Sequence, residues 1–189
     1  TTLGKLNEKT IELKKELLKN PTIGNVTISF TDLTSWGNSG PIEWEGKDKT
    51  DLTEVGYNWV DTDFLNTFQL KMKEGRFFSN DFSSDRSSAF ILNEKAVNML
   101  KLTDPVGMKV KSWFGVEGTI IGVIEDFHTT SMHEELGPIV LLPATQSNYM
   151  FIAINGRDIA GTLRFIDQKV KEFVPDDPFD YQFLEDHLH

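Results

Sequence analysis

Apolar residues at the start of the chain recur at helical spacing. Leu6, Thr10, Leu13 and Leu17 fall on one face with charged residues between them, so a helix is predicted from about Leu6 to Lys19. Asn20-Pro21 ends it. Val26 to Phe30 alternates apolar and polar, which predicts a strand with one buried face. From Thr31 to Lys49 the pattern dissolves into Gly, Ser, Asp, Asn and Thr, and a long exposed loop carrying Trp36 and Trp44 is expected. Thr53 to Val60 reads as a second strand.

Asp61-Thr62 can cap a short helix containing Phe64, Leu65 and Phe68. Gly75 breaks that pattern, and Asn80 to Ser88 is polar and turn-like. Ala89 to Leu92 is a short buried strand, and Asn93 caps a helix whose apolar face is Ala96, Val97 and Leu100. Asp104-Pro-Val-Gly107 is a turn. Met108 to Phe114 and Glu117 to Asp126 read as a hairpin around Gly115, with Gly122 marking a bulge or a close backbone approach. Pro138 to Leu142 is another short strand. Tyr149 to Ile154 is apolar throughout, which predicts burial of both faces. A helix follows from Ile159 to Phe173, with Ile159, Leu163, Ile166 and Val170 on one stripe. Phe179, Tyr181 and Phe183 then alternate with polar residues, predicting a strand that completes a β-α-β unit. The expected class is α+β. One subdomain is built from both chain ends (residues 1–74 and 147–189), with a β-rich insertion at 75–146.

Composition narrows the function. Hydrophobic residues are 39% of the 189, including fourteen Phe and four Trp, enough apolar bulk for a folded core. The formal net charge of −10 and the scattered Lys and Arg argue against nucleic acid as a partner. The absence of Cys excludes disulfides, thiolate metal sites and a Cys nucleophile. No apolar run approaches the roughly 20 residues that cross a bilayer. The start at Thr1 is that expected of an excised piece of a longer chain.

Candidate chemistry is sparse. Asp126, His128, His133, Glu134 and Glu135 crowd ten residues and could ligate a metal. The two His are five apart, however, which does not share a helix face, and no HExxH follows. A polar connector with Phe127 and Met132 tucked into the core is the preferred reading. Ser131 near His133 lacks a Gly-x-Ser-x-Gly elbow. Gly115, Gly118 and Gly122 lie in a hairpin rather than at a strand-to-helix turn, and no P-loop exists. The pairs Asp61/Asp63, Glu134/Glu135 and Asp176/Asp177 are adjacent in sequence, which does not set two carboxylates across a cleft. No catalytic, cofactor or metal residue is assigned. Trp36 and Trp44 are the candidates for partner contact; the alternative is that they fold over a hydrophobic edge.

Several segments, in order, resemble the MacB-like periplasmic core domain of MacB/FtsX-type ABC-transporter permeases. They are Trp59 to Leu70 followed by Lys73-Glu-Gly-Arg-Phe-Phe78, Ala89-Phe-Ile-Leu-Asn-Glu-Lys-Ala96, Asp104-Pro-Val-Gly107, Gly118 to His128, and the closing Pro-Phe-x-Tyr-x-Phe-Leu. The resemblance runs from about Asn58 to Glu185. It implies a domain outside the cytoplasmic membrane, on the periplasmic side, between two transmembrane helices absent here. It implies a porter-like part made from both ends and an inserted sabre-like part. It implies a cytoplasmic ATPase as partner and no chemistry of the domain's own: a non-enzymatic domain that couples ATP hydrolysis to export or mechanical signalling, with a periplasmic protein as a further partner. On that reading the two chain ends should lie close together at one pole. The alternative is a stand-alone extracytoplasmic binding or sensor module working through the Trp36/Trp44 loop.

Overall fold

The computed structural model describes residues 8–33, 38–127, 137–145, 147–175 and 180–184. The first helix, α1 (Glu8–Leu17), buries Thr10, Leu13 and Leu17, the face its spacing predicts. Asn20 turns the chain: its Oδ1 accepts from the Thr22 N–H at 3.0 Å and the Thr22 hydroxyl at 2.8 Å. The chain returns as β1 (Ile23–Ser29).

The stretch from Thr31 to Lys49 departs from expectation. It is not one long loop, because Ser39–Trp44 forms strand β2. Ser, Gly and Pro have poor strand propensity, so the segment is recognisable only through its partners. Ser39 to Pro41 pair with β3 (Glu54–Val60), and Ile42 to Trp44 pair with a later strand. A helical turn, α2 (Phe64–Thr67), follows β3. Asp61 does not cap it directly; Asp63 is the N-cap, and Asp61 Oδ1 accepts the Asp63 N–H at 3.2 Å.

The chain then makes β4 (Met72–Gly75), α3 (Asp85–Ser88), β5 (Ala89–Asn93) and α4 (Glu94–Met99). It continues through β6 (Lys109–Ser112), β7 (Glu117–Ile124), β8 (Ile139–Pro143), β9 (Tyr149–Ile154) and α5 (Ile159–Phe173). β6 and β7 are the expected hairpin, with Gly115 at φ +91°. Gly122 is both a bulge and a close approach. The β5–β7 register slips beside it, and a Cβ there would lie 2.4 Å from the Arg76 carbonyl oxygen. Its cross-strand partner Gly75 sits at φ +67°, with a Cβ position only 2.2 Å from the Ile121 oxygen.

The strand order is β2-β6-β7-β5-β8-β3-β1-β9, and β2 also pairs with β3. That last pairing closes β2, β6, β7, β5, β8 and β3 into a six-stranded barrel. Every one of the six sends a side chain into one cluster: Ile42, Tyr57, Phe90, Val110, Ile120 and Val140. Successive strand residues point to opposite faces, so Ala89, Ile91, Ile139 and Leu141 belong to a second cluster outside the barrel. Phe64, Phe77 and Phe78 cover it. Beyond β3, the antiparallel pair β1–β9 carries α1 and α5 on one face, sealed by Leu13, Leu17, Val26, Ile166 and Val170. The class is α+β. Backbone hydrogen bonding crosses residues 74/75 and 146/147, because β2 and β3 close the barrel with strands of the middle segment.

Two expectations at the end of the chain need correction. β9 is not buried on both faces: Tyr149 is exposed and Met150 to Ile154 are half-buried, because β9 is the last strand of the sheet. No strand follows α5 in residues 180–184, so the β-α-β unit is not completed there. Tyr181 and Phe183 share a face as alternation requires, but they pack edge-on against each other at 5.7 Å rather than on a ladder. The α5 stripe is also rotated. Thr162, Ile166 and Val170 are buried, and Ile159 is exposed.

One side chain ties several of these elements together. Asn93 is fully buried. Its Oδ1 accepts from Ala96 N–H at 3.0 Å and Ile139 N–H at 2.9 Å, and its Nδ2 donates to Asp126 Oδ1 at 2.8 Å and the Gly137 oxygen at 3.1 Å. Asn93→Ala removes the α4 cap and strands buried partners, so it should destabilise by about 3 kcal/mol or more, read by urea denaturation.

Arg76 grips buried Asp85 with two nitrogens, at 2.5 and 2.8 Å, and lies over Phe82 at 3.9 Å. The Arg76 guanidinium, helped by the Ser79 N–H, holds the Asp85 carboxyl below its usual range against the opposing effect of burial. A depressed carboxylate stabilises the fold above its unfolded pKa and loses that contribution as pH falls through the folded one. Asp85→Asn should therefore cost about 1.5–3 kcal/mol near neutrality. The deficit should shrink below about pH 4, as wild type and variant are compared by denaturation across pH.

Candidate functional site at the seam between helix layer and barrel

The helix layer (α1, β1, β9, α5) meets the barrel along a narrow line. β1 and β3 share one residue pair, Ser29 with Val60. It is flanked by Phe30 N–H to the Trp59 oxygen at 2.9 Å and Asp61 N–H to the Ile28 oxygen at 3.4 Å. Around that pair the seam combines polar bonds with aromatic packing: the Phe30 and Trp59 rings meet edge-on at 5.3 Å, and Phe68 meets Phe151 of β9 edge-on at 5.2 Å. Buried Asn58 donates from Nδ2 to the Ser29 hydroxyl at 2.9 Å, and its Oδ1 accepts the Thr31 N–H at 3.2 Å. The Ser29 hydroxyl donates onward to the Thr31 oxygen at 2.9 Å. Where the chain returns from β8, the Asn148 N–H bonds the Ser29 oxygen at 3.1 Å and its Nδ2 bonds the Phe30 oxygen at 3.0 Å. Thr31 Oγ1 and Ser147 Oγ are buried at the same line without a hydrogen-bond partner among the described residues.

An ionic cluster lies beside the seam. Lys14 Nζ of α1 contacts Asp61 Oδ2 and Asp63 Oδ2, each at 2.5 Å. Lys14 and Asp61 side chains are 16% exposed, and Asp63 is 47% exposed. Asp61 also accepts the Thr27 hydroxyl of β1. One carboxylate therefore joins α1, β1, the end of β3 and the start of α2.

The topology fixes where α1 and α5 point. α1 reverses into β1 through a short turn, β1 is antiparallel to β9, and β9 reverses into α5. The two helices are therefore antiparallel. The N-terminal end of α1 and the C-terminal end of α5 share one pole; the chain ends themselves, residues 1–7 and 185–189, lie outside the described residues. At the other pole the Thr22 and Thr162 hydroxyls bond at 2.7 Å.

The chemistry available elsewhere is limited. Burial pushes the Tyr57 phenol up, and its hydroxyl donates to the Pro41 oxygen at 2.9 Å inside the barrel. The carboxylates with displaced pKa, such as Glu16 beside Lys19 and Glu94 beside Lys73, are displaced downward by donors, which suits ion pairing rather than proton donation. Among the described residues no group of three or more His, Asp and Glu could hold a metal ion. His128, His133, Glu134 and Glu135 lie outside the described residues, as does Trp36. Trp44 is half-buried. It packs against the barrel cluster, lines a shallow groove of about 520 Å³ beside Lys109 and Lys111, and has Lys47 Nζ 5.2 Å from its ring centre. A smaller depression of about 190 Å³ lies between Phe68–Lys71 and Glu125–Phe127.

Asp61 and Asp63 stand out in the sequence as a cap and a carboxylate pair, but Lys14, Ser29 and Asn58 do not. The available signal was polarity in apolar company: Asn58 interrupts β3, and Lys14 lies between Leu13 and Leu17 on the helix. Among the described residues no helix is long and apolar enough to cross a membrane.

Comparison with known proteins places this architecture. The fold is similar to the periplasmic region of MacB from Actinobacillus actinomycetemcomitans, with 18% identity, TM-score 0.63, and 86% of this chain and 72% of that chain covered. It is similar to the extracellular domain of the noncanonic ABC-type transporter YknZ from Gram-positive bacteria, with 18% identity, TM-score 0.64, and 91% and 85% covered. No match was found among curated proteins. The family model of the MacB-like periplasmic core domain matches residues 9–170, most of the chain. The chain accordingly belongs to the MacB-like periplasmic core domain family, the extracytoplasmic domains of ABC-transporter permeases.

Proposed function

We propose that this domain is a non-catalytic coupling element. In that reading, ATP hydrolysis by a cytoplasmic ATPase moves the membrane segments of the parent permease, and the domain converts the movement into export or mechanical signalling outside the membrane. The observation that carries the reading is the shared pole of α1 and α5. An antiparallel helix pair with both outer ends on one side can take up a displacement from two membrane segments and pass it into β1 and β9. The polar seam then hands it to the barrel.

A rival reading is a binding or sensor module that contacts a partner through Trp36 and Trp44. It draws on the groove that Trp44 lines. Such a module tolerates a slack tether, whereas a coupling element does not. A Gly/Ser insert of about ten residues ahead of Glu8 adds roughly 18 Å of slack. In the intact permease with its ATPase, that insert should leave ATP hydrolysis in place and abolish transport or signalling. Retained transport would exclude mechanical coupling through α1 and favour the binding module.

A further inference from the structure

α1 packs on β1 and α5, elements of its own layer. Its ionic reach to the barrel side is Lys14, which meets Asp61 and Asp63 at the corner where β3 leaves the barrel. We propose that Lys14 is a positioning residue: clamped between the two carboxylates, it locks the first helix to the β3–α2 corner, so that displacement of α1 moves the barrel instead of bending the seam. The proposal rests on the coupling function and names the contact that would make it stiff.

Three features support the assignment. First, the backbone pairing at the seam is short, with one residue pair between β1 and β3, and the apolar contacts that cross it come from α2 and Phe151 rather than from α1. Second, the apolar contacts of α1 are with β1 and α5 and lie within the layer. They do nothing to fix the layer against the barrel. Third, the cluster is directional. An ion pair with 16% exposure on both sides is weakly screened. Sliding α1 along its axis draws Nζ away from both carboxylates at once, whereas apolar surfaces slide with little change in contact. A charged cluster is also a poor device for stability alone, since an apolar replacement of similar volume is often equally stable. Its worth lies in fixing one geometry. Asp61 carries a second half of the lock: its other oxygen takes the Thr27 hydroxyl and the Asp63 N–H, so the carboxylate cannot rotate away to follow the helix.

The lock is testable by distance. The chain has no Cys, so spin labels can be placed on exposed Arg164 of α5 and Asn98 of α4, in the helix layer and on the barrel. The wild-type distance distribution should be single and narrow. Lys14→Met should broaden it or add a second population above about 10%. Lys14→Met combined with Asp61→Asn leaves no unpaired charge at Asp61. It should keep the wild-type circular dichroism and melting temperature and still show the loosened distribution. Lys14→Arg should restore a narrow one. A double variant that is folded and as narrow as wild type would overturn the lock. That result would leave the coupling function standing, because the distance is read without transport, while failure of the coupling function itself shows in the linker insertion.

Discussion

Asn93 holds the barrel's strands to one another at the end of β5. β5 lies between β7 and β8, and the asparagine uses both lone pairs and both N–H groups on the segments leaving or entering those neighbours. Aspartate would match its shape but not its donors, and leucine its shape but neither donors nor acceptors. Asp126 then takes the Lys95 N–H at 3.0 Å, so the start of α4 is tied down twice. Without that node, three backbone groups would lose their partners at once, and the two buried N–H groups of Ala96 and Ile139 would carry the full desolvation penalty of an unmade bond. The node thereby holds β5 between β7 and β8, in the wall that separates the two cores.

Those two cores explain which parts of the fold could be read from the sequence. Ala89 to Leu92 and Ile139 to Leu142 are continuous apolar runs because alternate residues serve opposite clusters. Such runs announce buried strands whatever their partners. Asn93 as a helix cap, the hairpin at Gly115 and the crowding at Gly122 were legible for local reasons: each is a property of a few neighbouring residues. β2 was not legible. Its Ser-Gly-Pro start carries no strand signal, and its identity depends on ladders to Glu54–Gly56 and Val110–Ser112, far away in sequence. The final segment erred in the opposite direction. Tyr181 and Phe183 have the alternation of a strand, but alternation says only that they share a face. It does not supply the neighbouring edge that a strand needs.

The seam was invisible for a related reason. Lys14, Ser29, Asn58 and Asp61 are scattered over the first third of the chain, and each alone has an ordinary explanation: a solvated helix face, a strand's polar side, a turn. Their meaning is in the juxtaposition, which pattern does not encode. The aromatic candidates illustrate the converse. Trp44 drew attention by residue type, yet much of its surface goes to packing against the barrel cluster and to Lys47, whose side chain is 2% exposed.

A seam built from hydrogen bonds and charges behaves differently from one built from apolar surface. Burial is non-directional and tolerates sliding; a bond from Asn58 to Ser29 or from Asn148 to Phe30 is satisfied at one relative placement and lost at others. The helix layer and the barrel each possess an apolar core, and Phe151 of β9 also packs into the cluster outside the barrel, so the polar bonds add one fixed placement to a contact that burial already favours. The seam can therefore be specialised for alignment. Alignment at one relative placement is what the coupling role proposed above would use.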